Sequence, residues 1–394
     1  MEIEVDHSGV ITWCQAITAV PGALQGQDLG PGTLRMSLAV GGGGDGVRIY
    51  LSNRYGPEPV TVTGARVAAE LPDEGDPKNS IPLTFGSRAS VVLAAGQEIS
   101  SDLLDSSFPR NSRLRLSVDF AGGIPLTSVN SVATDEWLYF PPGAENAPGS
   151  TGGKRLEIDL GGRLQPMPLP LVAALEVRRK GDGKLGIVGF GDSITAGGWP
   201  DHLSELMRGA DVPGSWGVGN RGISGNRLLR DGAGLFGAWF GTAGVQRFAY
   251  DVLDTPGVTH VFVLEGINDL LHPGMAAPED EEVSATDLID GYRALVAMAH
   301  ASKIKILLCT ILPFSGAEGY TSEREKVRQE VNDWIRTSDE TDGYVPTDAI
   351  LADPHDPTRL LADFDIGDHL HPNIQGQKAI ARSIHAAAQR AGIY

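Results

Sequence analysis

The chain has 394 residues, too long for one ordinary domain and long enough for two, each with its own core. Its 32 basic residues face 50 acidic ones, a net charge of −18 that repels phosphate backbones and anionic lipid and argues against nucleic-acid or membrane-surface roles. No apolar run approaches the roughly 18–20 residues that a membrane-spanning helix needs.

The N-terminal stretch MEIEVDHSGVITW has neither the basic start nor the apolar segment of a signal peptide. The protein is then expected in the cytoplasm, or it is secreted and this sequence begins after cleavage. Cys14 and Cys309 lie far apart and match no metal spacing, which argues against a disulfide framework. The first ~175 residues read as all-β. Leu34, Met36, Leu38 and Val40 alternate with Arg35, Ser37 and Ala39, and after GGGGDG the residues Val47, Ile49 and Leu51 alternate in the same way. The spacing predicts a hairpin around a glycine turn. Val60–Val62, Ser90–Leu93 and the series Leu114, Leu116, Val118, Phe120 repeat the pattern between Pro/Gly/Asn/Ser turns, as in a sandwich or jelly roll. FPPGAENAPGSTGG (140–153) reads as a loop, and LPLVAALEVRRKGDG (169–183) as the segment carrying the linker. An all-β domain is therefore expected over 1–178 and a second domain over 179–394.

In that second part strands and helices alternate. Ile187–Phe190, Val261–Glu265 and Ile304–Leu312 are continuous apolar runs, the mark of strands covered on both faces. Helical spacing covers about 287–300, 322–336 and 374–391. Such alternation implies right-handed crossovers and a parallel sheet with helices on both sides, whose ligands bind at the carboxyl ends of the strands.

One apolar run, LGIVGFGDSITAGG, ends at such a position in Gly191-Asp192-Ser193. A serine hydroxyl is hardly ionised at neutral pH and becomes a nucleophile only beside a base, normally a histidine oriented by a carboxylate. The segment Asp365-Ile-Gly-Asp368-His369-Leu-His371-Pro-Asn373 offers one. A turn there folds Asp368 onto Nδ1 of His371 and leaves Nε2 for Ser193. Acyl transfer also needs donors for the oxyanion, and two segments after predicted strands supply candidates. In Asn220–Asn226 a glycine presents a bare N–H; in Glu265–Asp269 the amide of Asn268 can donate.

GDSIT (191–195), GISGN (222–226), GIND (266–269) and DHLH (368–371), in this order, resemble the four blocks of the GDSL (SGNH) hydrolases. The resemblance spans most of 184–394. It implies a flavodoxin-like three-layer α/β/α fold with no metal or organic cofactor. It also implies Ser193 as nucleophile, Asp368 and His371 as its partners, and Ser193 N–H, Gly225 N–H and the Asn268 side chain as the oxyanion hole. TLRMSL and RIYLSNRYG resemble the N-terminal β-sandwich (jelly-roll-like) module of a two-domain actinobacterial-type subgroup. Ala196 departs from the family, which often has a polar residue there.

Each motif also has a plainer reading. GDS alone is a turn, and Asp192 then braces it. Asp365, Asp368, His369 and His371 suit a metal site less well, since they lack a strand setting and Pro372 follows His371. Asn268 and Asp269 could simply satisfy strand-end backbone. GGGGDG and GSTGGKR fail the phosphate-loop pattern. Leu235-Phe236-Gly-Ala-Trp239-Phe240-Gly is either local packing or a substrate wall made by Phe236, Trp239 and Phe240. The leading expectation is hydrolysis of a small-molecule ester through a Ser193 acyl-enzyme. One alternative is a cytoplasmic acyltransferase moving an acyl group from an acyl-CoA-like thioester to a hydroxyl acceptor such as a polyketide. Another is a carbohydrate-binding module joined to a deacetylase, against which Trp13 and Trp137 stand isolated rather than in an aromatic row.

Overall fold

The period-2 segments build two antiparallel sheets, each held by strands distant in sequence. A computed structural model describes residues 9–20, 28–70, 80–125, 137–144, 153–159, 164–166, 170–179, 183–210 and 212–394. In one sheet the order is Trp137–Phe140, Gly32–Ala39, Arg113–Phe120, Val60–Glu70, Ile81–Leu83, with Val91–Leu93 also on Val60–Glu70. Its register sets Leu34, Met36 and Leu38 against Val118, Leu116 and Leu114, so the apolar positions of neighbouring strands share one buried face. The other sheet runs Gly9–Cys14, Val172–Arg178, Gly44–Ser52, Glu98–Ser100, and sets Val47 and Ile49 against Val177 and Leu175.

One expectation is corrected here. Gly32–Ala39 and Gly44–Ser52 do not pair as a hairpin; they belong to different sheets. The alternation is real, but each strand finds a remote partner for its apolar face. The glycines between them serve close approach: a side chain at Gly44 would clash with the carbonyl of Arg178, and Gly43 has φ +66°. Within 169–183, Val172–Arg178 is a central strand with Val172 and Leu175 fully buried. The leader reading at 1–8, and residues 145–152 and 180–182 of the two breaker-rich stretches, lie outside the described residues.

Two compact units divide the chain: Met1–Lys184 with Gly214–Gly217, and Leu185–Pro213 with Val218–Tyr394. The second holds most of a five-stranded sheet in the order Ser215–Gly222, Lys184–Gly191, Val258–Leu264, Lys305–Cys309, Tyr344–Val345, of which Lys184 and Ser215–Gly217 count with the first. Its pairs from Lys184–Gly191 to Tyr344–Val345 are parallel. Numbered along the chain the order is 2-1-3-4-5, the doubly wound arrangement whose crevice opens between strands 1 and 3. The run at 304–312 is a strand only over Lys305–Cys309 and continues as buried loop. The expected helices form as Ala285–Ala301, Ser322–Thr337 and Ile374–Arg390. Helix Trp199–Gly209 packs on Ile374–Arg390, and Ala285–Ala301 packs on Ser322–Thr337. Right-handed crossovers leaving the switch point in opposite directions put helices on both faces of the sheet. Cys14 and Cys309 are both buried. Among the described residues no helix is long and apolar enough to cross a membrane.

Candidate active site

Ser193 follows strand 184–191 and opens the one-turn helix Ser193–Ala196. The buried Asp192 caps that turn, its Oδ1 accepting from the Ile194 N–H at 2.8 Å. A side chain at Gly191 would clash with the carbonyl of Leu264, and one at Gly222 with the backbone N of Ala196. The serine turn is therefore seated against two neighbouring strand ends, where only glycine fits. Gln377 ties the C-terminal helix to the same turn: its Nε2 donates to the Ile194 carbonyl at 3.0 Å and its Oε1 accepts from the Trp199 N–H at 3.1 Å.

That helix begins beyond Asn373, whose Oδ1 accepts from the N–H groups of Gln375 and Gly376. The preceding loop brings His371 Nε2 to 2.8 Å from Ser193 Oγ, across 178 residues of sequence. His371 Nδ1 lies 2.6 Å from Asp368 Oδ2. The other oxygen, Oδ1, accepts from the backbone N–H groups of Leu370 and His371 at 3.0 and 2.8 Å. Partial burial pushes the Asp368 carboxyl up, but the hydrogen bonds from His371 and Leu370 outweigh it and hold it below the ordinary carboxylate range. An ionised carboxylate only accepts, so Nδ1 carries the imidazole proton and Nε2 presents a lone pair to the serine hydroxyl.

The suspected metal ligands split into two Asp–His pairs: His369 Nδ1 is 2.8 Å from Asp365 Oδ2, apart from the Asp368–His371 pair. Among the described residues no group of three or more His, Cys, Asp or Glu is placed to hold a metal ion.

The oxyanion candidates sit at the same end of the sheet. Gly225 has φ +77°, and the Phe240 ring fills the space a side chain there would need. Neither Ser193 N–H nor Gly225 N–H has a hydrogen-bond partner among the described residues. Asn268, on the short helix Ile267–Leu271, uses one amide hydrogen on the carbonyl of Asn226 at 2.8 Å and keeps the second. Of the wall candidates, Trp239 is buried, Phe240 lies on Gly225, and Phe236 is exposed beside Phe240 at 6.2 Å between ring centroids. The His272 ring lies against Phe240, tilted by 38° with centroids 5.1 Å apart. Burial, with the nearby Arg227 charge, pushes it down to about 4, so it is neutral at pH 7.

Beneath these groups lies a buried polar layer that sequence reading missed. Asn226 is fully buried; its Nδ2 donates to the carbonyls of Phe240 and Thr242 at 2.7 and 2.9 Å. Asp269 accepts from Leu228 N–H at 2.6 Å and Leu229 N–H at 2.9 Å, one on each oxygen. Burial pushes Asp269 up to about 6 against these bonds. Asp192 is pushed up to about 7, mainly by burial, with the Asp269 charge adding. Glu265 is raised well above the carboxylate range by burial and then by the Asp192 charge. Arg247 runs through the layer. Asn226 and Asp269 stood inside quoted motifs, but Arg247 had no local signal.

Residues 190–379 match the model of the GDSL-like lipase/acylhydrolase family. No curated protein matches the chain. Among solved structures, a GDSL-like lipase from Bacteroides thetaiotaomicron VPI-5482 is similar at 22% identity and TM-score 0.36, over 52% of this chain and 88% of that one. An acetylxylan esterase from Geobacillus stearothermophilus is similar at 20% identity and TM-score 0.40, over 53% and 94%. The family match, together with the four ordered sequence blocks and the 2-1-3-4-5 sheet, identifies residues 190–379 as a GDSL-like lipase/acylhydrolase domain.

Proposed function

We propose that the protein is a serine esterase that works through an acyl-enzyme on Ser193. The observation carrying this reading is the continuous relay from Ser193 Oγ to His371 Nε2 (2.8 Å) and from His371 Nδ1 to Asp368 Oδ2 (2.6 Å). Ser193 Oγ attacks the acyl carbonyl carbon while His371 Nε2 takes its proton. The negative oxygen of the tetrahedral intermediate accepts hydrogen bonds from Ser193 N–H, Gly225 N–H and the spare Asn268 amide hydrogen. Collapse breaks the bond to the leaving alcohol or thiol, which receives the proton from His371. Water, deprotonated by the same histidine, then attacks the acyl carbon; the bond from Ser193 Oγ to that carbon breaks, Oγ takes the proton back from His371, and the acid is released. Asp368 holds the imidazole in the productive tautomer throughout.

A hydroxyl compound in place of water would make the same site an acyltransferase. The exposed ring of Phe236 beside Phe240 supports a bulky apolar acyl group or acceptor at this wall. The test is turnover of a panel of nitrophenyl esters and acyl thioesters by wild type and Ser193→Ala, with and without added alcohols. The proposal expects hydrolysis by wild type and none by Ser193→Ala. Products formed only with an alcohol would replace esterase by transferase; wild-type turnover by Ser193→Ala would refute both.

A further inference from the structure

Arg247 lies on the short helix Gly244–Phe248 with its side chain 4% exposed, directly under the ends of three strands. Nε donates to Asn226 Oδ1 at 2.7 Å. Nη1 donates to the Arg221 carbonyl at 2.9 Å and to Asp251 Oδ2 at 2.7 Å. Nη2 donates to the Gly191 carbonyl at 2.8 Å and lies 3.5 Å from Glu265 Oε2. The guanidinium carbon stands 3.9 Å from the centre of the Phe190 ring. Four hydrogen bonds thus leave the guanidinium, and an aromatic face covers its plane. A buried cation is tolerated only with such multiple partners, and the planar fork of arginine offers donors in these directions where lysine does not.

The acceptors are not scattered. Gly191 is two residues before Ser193. Asn226 follows Gly225, and its carbonyl receives the Asn268 amide. Glu265 is three residues before Asn268 and stays buried beside the guanidinium. Arg221 precedes the loop that presents Gly225. One side chain therefore contacts each of the three loops that carry an oxyanion donor.

We propose that Arg247 is a positioning residue of the oxyanion hole, its guanidinium holding the loops of Ser193, Gly225 and Asn268 at the spacing that lets their three donors converge on one oxygen. The inference rests on the reading of those donors given above. Arg247 touches no substrate; it acts by fixing the donors before charge develops, which is where such electrostatic catalysis obtains its advantage.

The test compares the full-length chain as wild type, Arg247→Lys, Asn268→Ala, the double variant and Ser193→Ala, using nitrophenyl acetate for kcat and KM and thermal melts for folding. Lysine keeps the charge and loses the fork. Arg247→Lys should fold and lose roughly 10- to 10³-fold in kcat with KM within about threefold, the mark of an interaction made only in the transition state. The double variant should lose less than the product of the single losses, because Asn268→Ala has already removed one of the three donors that Arg247 positions. A merely structural arginine would lower the melting temperature and leave kcat per folded molecule unchanged. Wild-type kcat in Arg247→Lys, a loss confined to KM, or fully multiplicative losses would overturn the proposal. If Arg247→Lys does not fold, Asn226→Ala takes its place, since it cuts the guanidinium from the Gly225 loop; wild-type kcat there also overturns the proposal. Ser193→Ala separates the two levels: if it turns over ester at the wild-type rate the esterase reading itself falls, whereas an inactive Ser193→Ala beside an unimpaired Arg247→Lys removes only the role of Arg247.

Discussion

Asp368 divides its two oxygens between the backbone and the imidazole, and this fixes what an amide would do in its place. The N–H groups of Leu370 and His371 both point at Oδ1. In Asp368→Asn the amide oxygen must stay on those two donors, so the NH₂ turns toward His371 Nδ1. The imidazole then carries its proton on Nε2 and can no longer accept one from Ser193. We expect kcat to fall on the order of 10³–10⁴-fold with an unchanged fold by circular dichroism; a loss below about tenfold would contradict this role. Asp192 makes a different prediction. Its carboxyl is pushed from an ordinary 3.8 up to about 7, mainly by burial. The folded state thus holds a proton that the unfolded chain has released, and the group's contribution to stability declines as pH rises from about 4 to about 7 and is flat above. Asp192→Asn keeps an oxygen for the Ile194 N–H and removes this slope. The variant's gain in urea midpoint over wild type should grow across that window; a difference constant with pH would refute it.

Elements were legible where the local pattern alone decides them. Helix Ala285–Ala301 was readable from Leu288, Tyr292, Leu295 and Ala299, all buried, and it starts with a reciprocal capping box between Ser284 and Asp287. Ser284→Ala should cost about 1 kcal/mol in urea unfolding and leave kcat unchanged, since this cap is exposed and belongs to no site loop. Strand partners were not legible. Alternation at 34–40 and 47–51 gave each strand its buried face but not its neighbour, and the glycines between them suggested a turn where the backbone needed room. The candidate site shows the same division. Ser193, Gly225, Asn268, Asp368 and His371 stood in recognisable blocks. The layer that supports them joins Asn226, Arg247, Glu265 and Asp269 through contacts that exist only once the 2-1-3-4-5 sheet has gathered its strand ends. No periodicity marks an arginine for that position.

At the scale of the whole molecule, 50 acidic residues against 32 basic ones leave a self-repelling surface. Raising salt from about 10 mM to about 200 mM shortens the Debye length from roughly 30 Å to under 10 Å and relieves that repulsion in the folded state more than in the expanded chain. We expect the melting temperature to rise across this range in sodium chloride; a fall would show that specific ion pairs outweigh the net charge.

Acyl transfer through Ser193 requires a covalent bond between the acyl group and its Oγ. Intact-protein mass spectrometry after rapid acid quench of a nitrophenyl ester reaction, followed by peptide mapping, detects that bond. One acyl mass should be added to wild type, located on Ser193, and none to Ser193→Ala. An adduct on another residue, or undiminished turnover without Ser193, would contradict it.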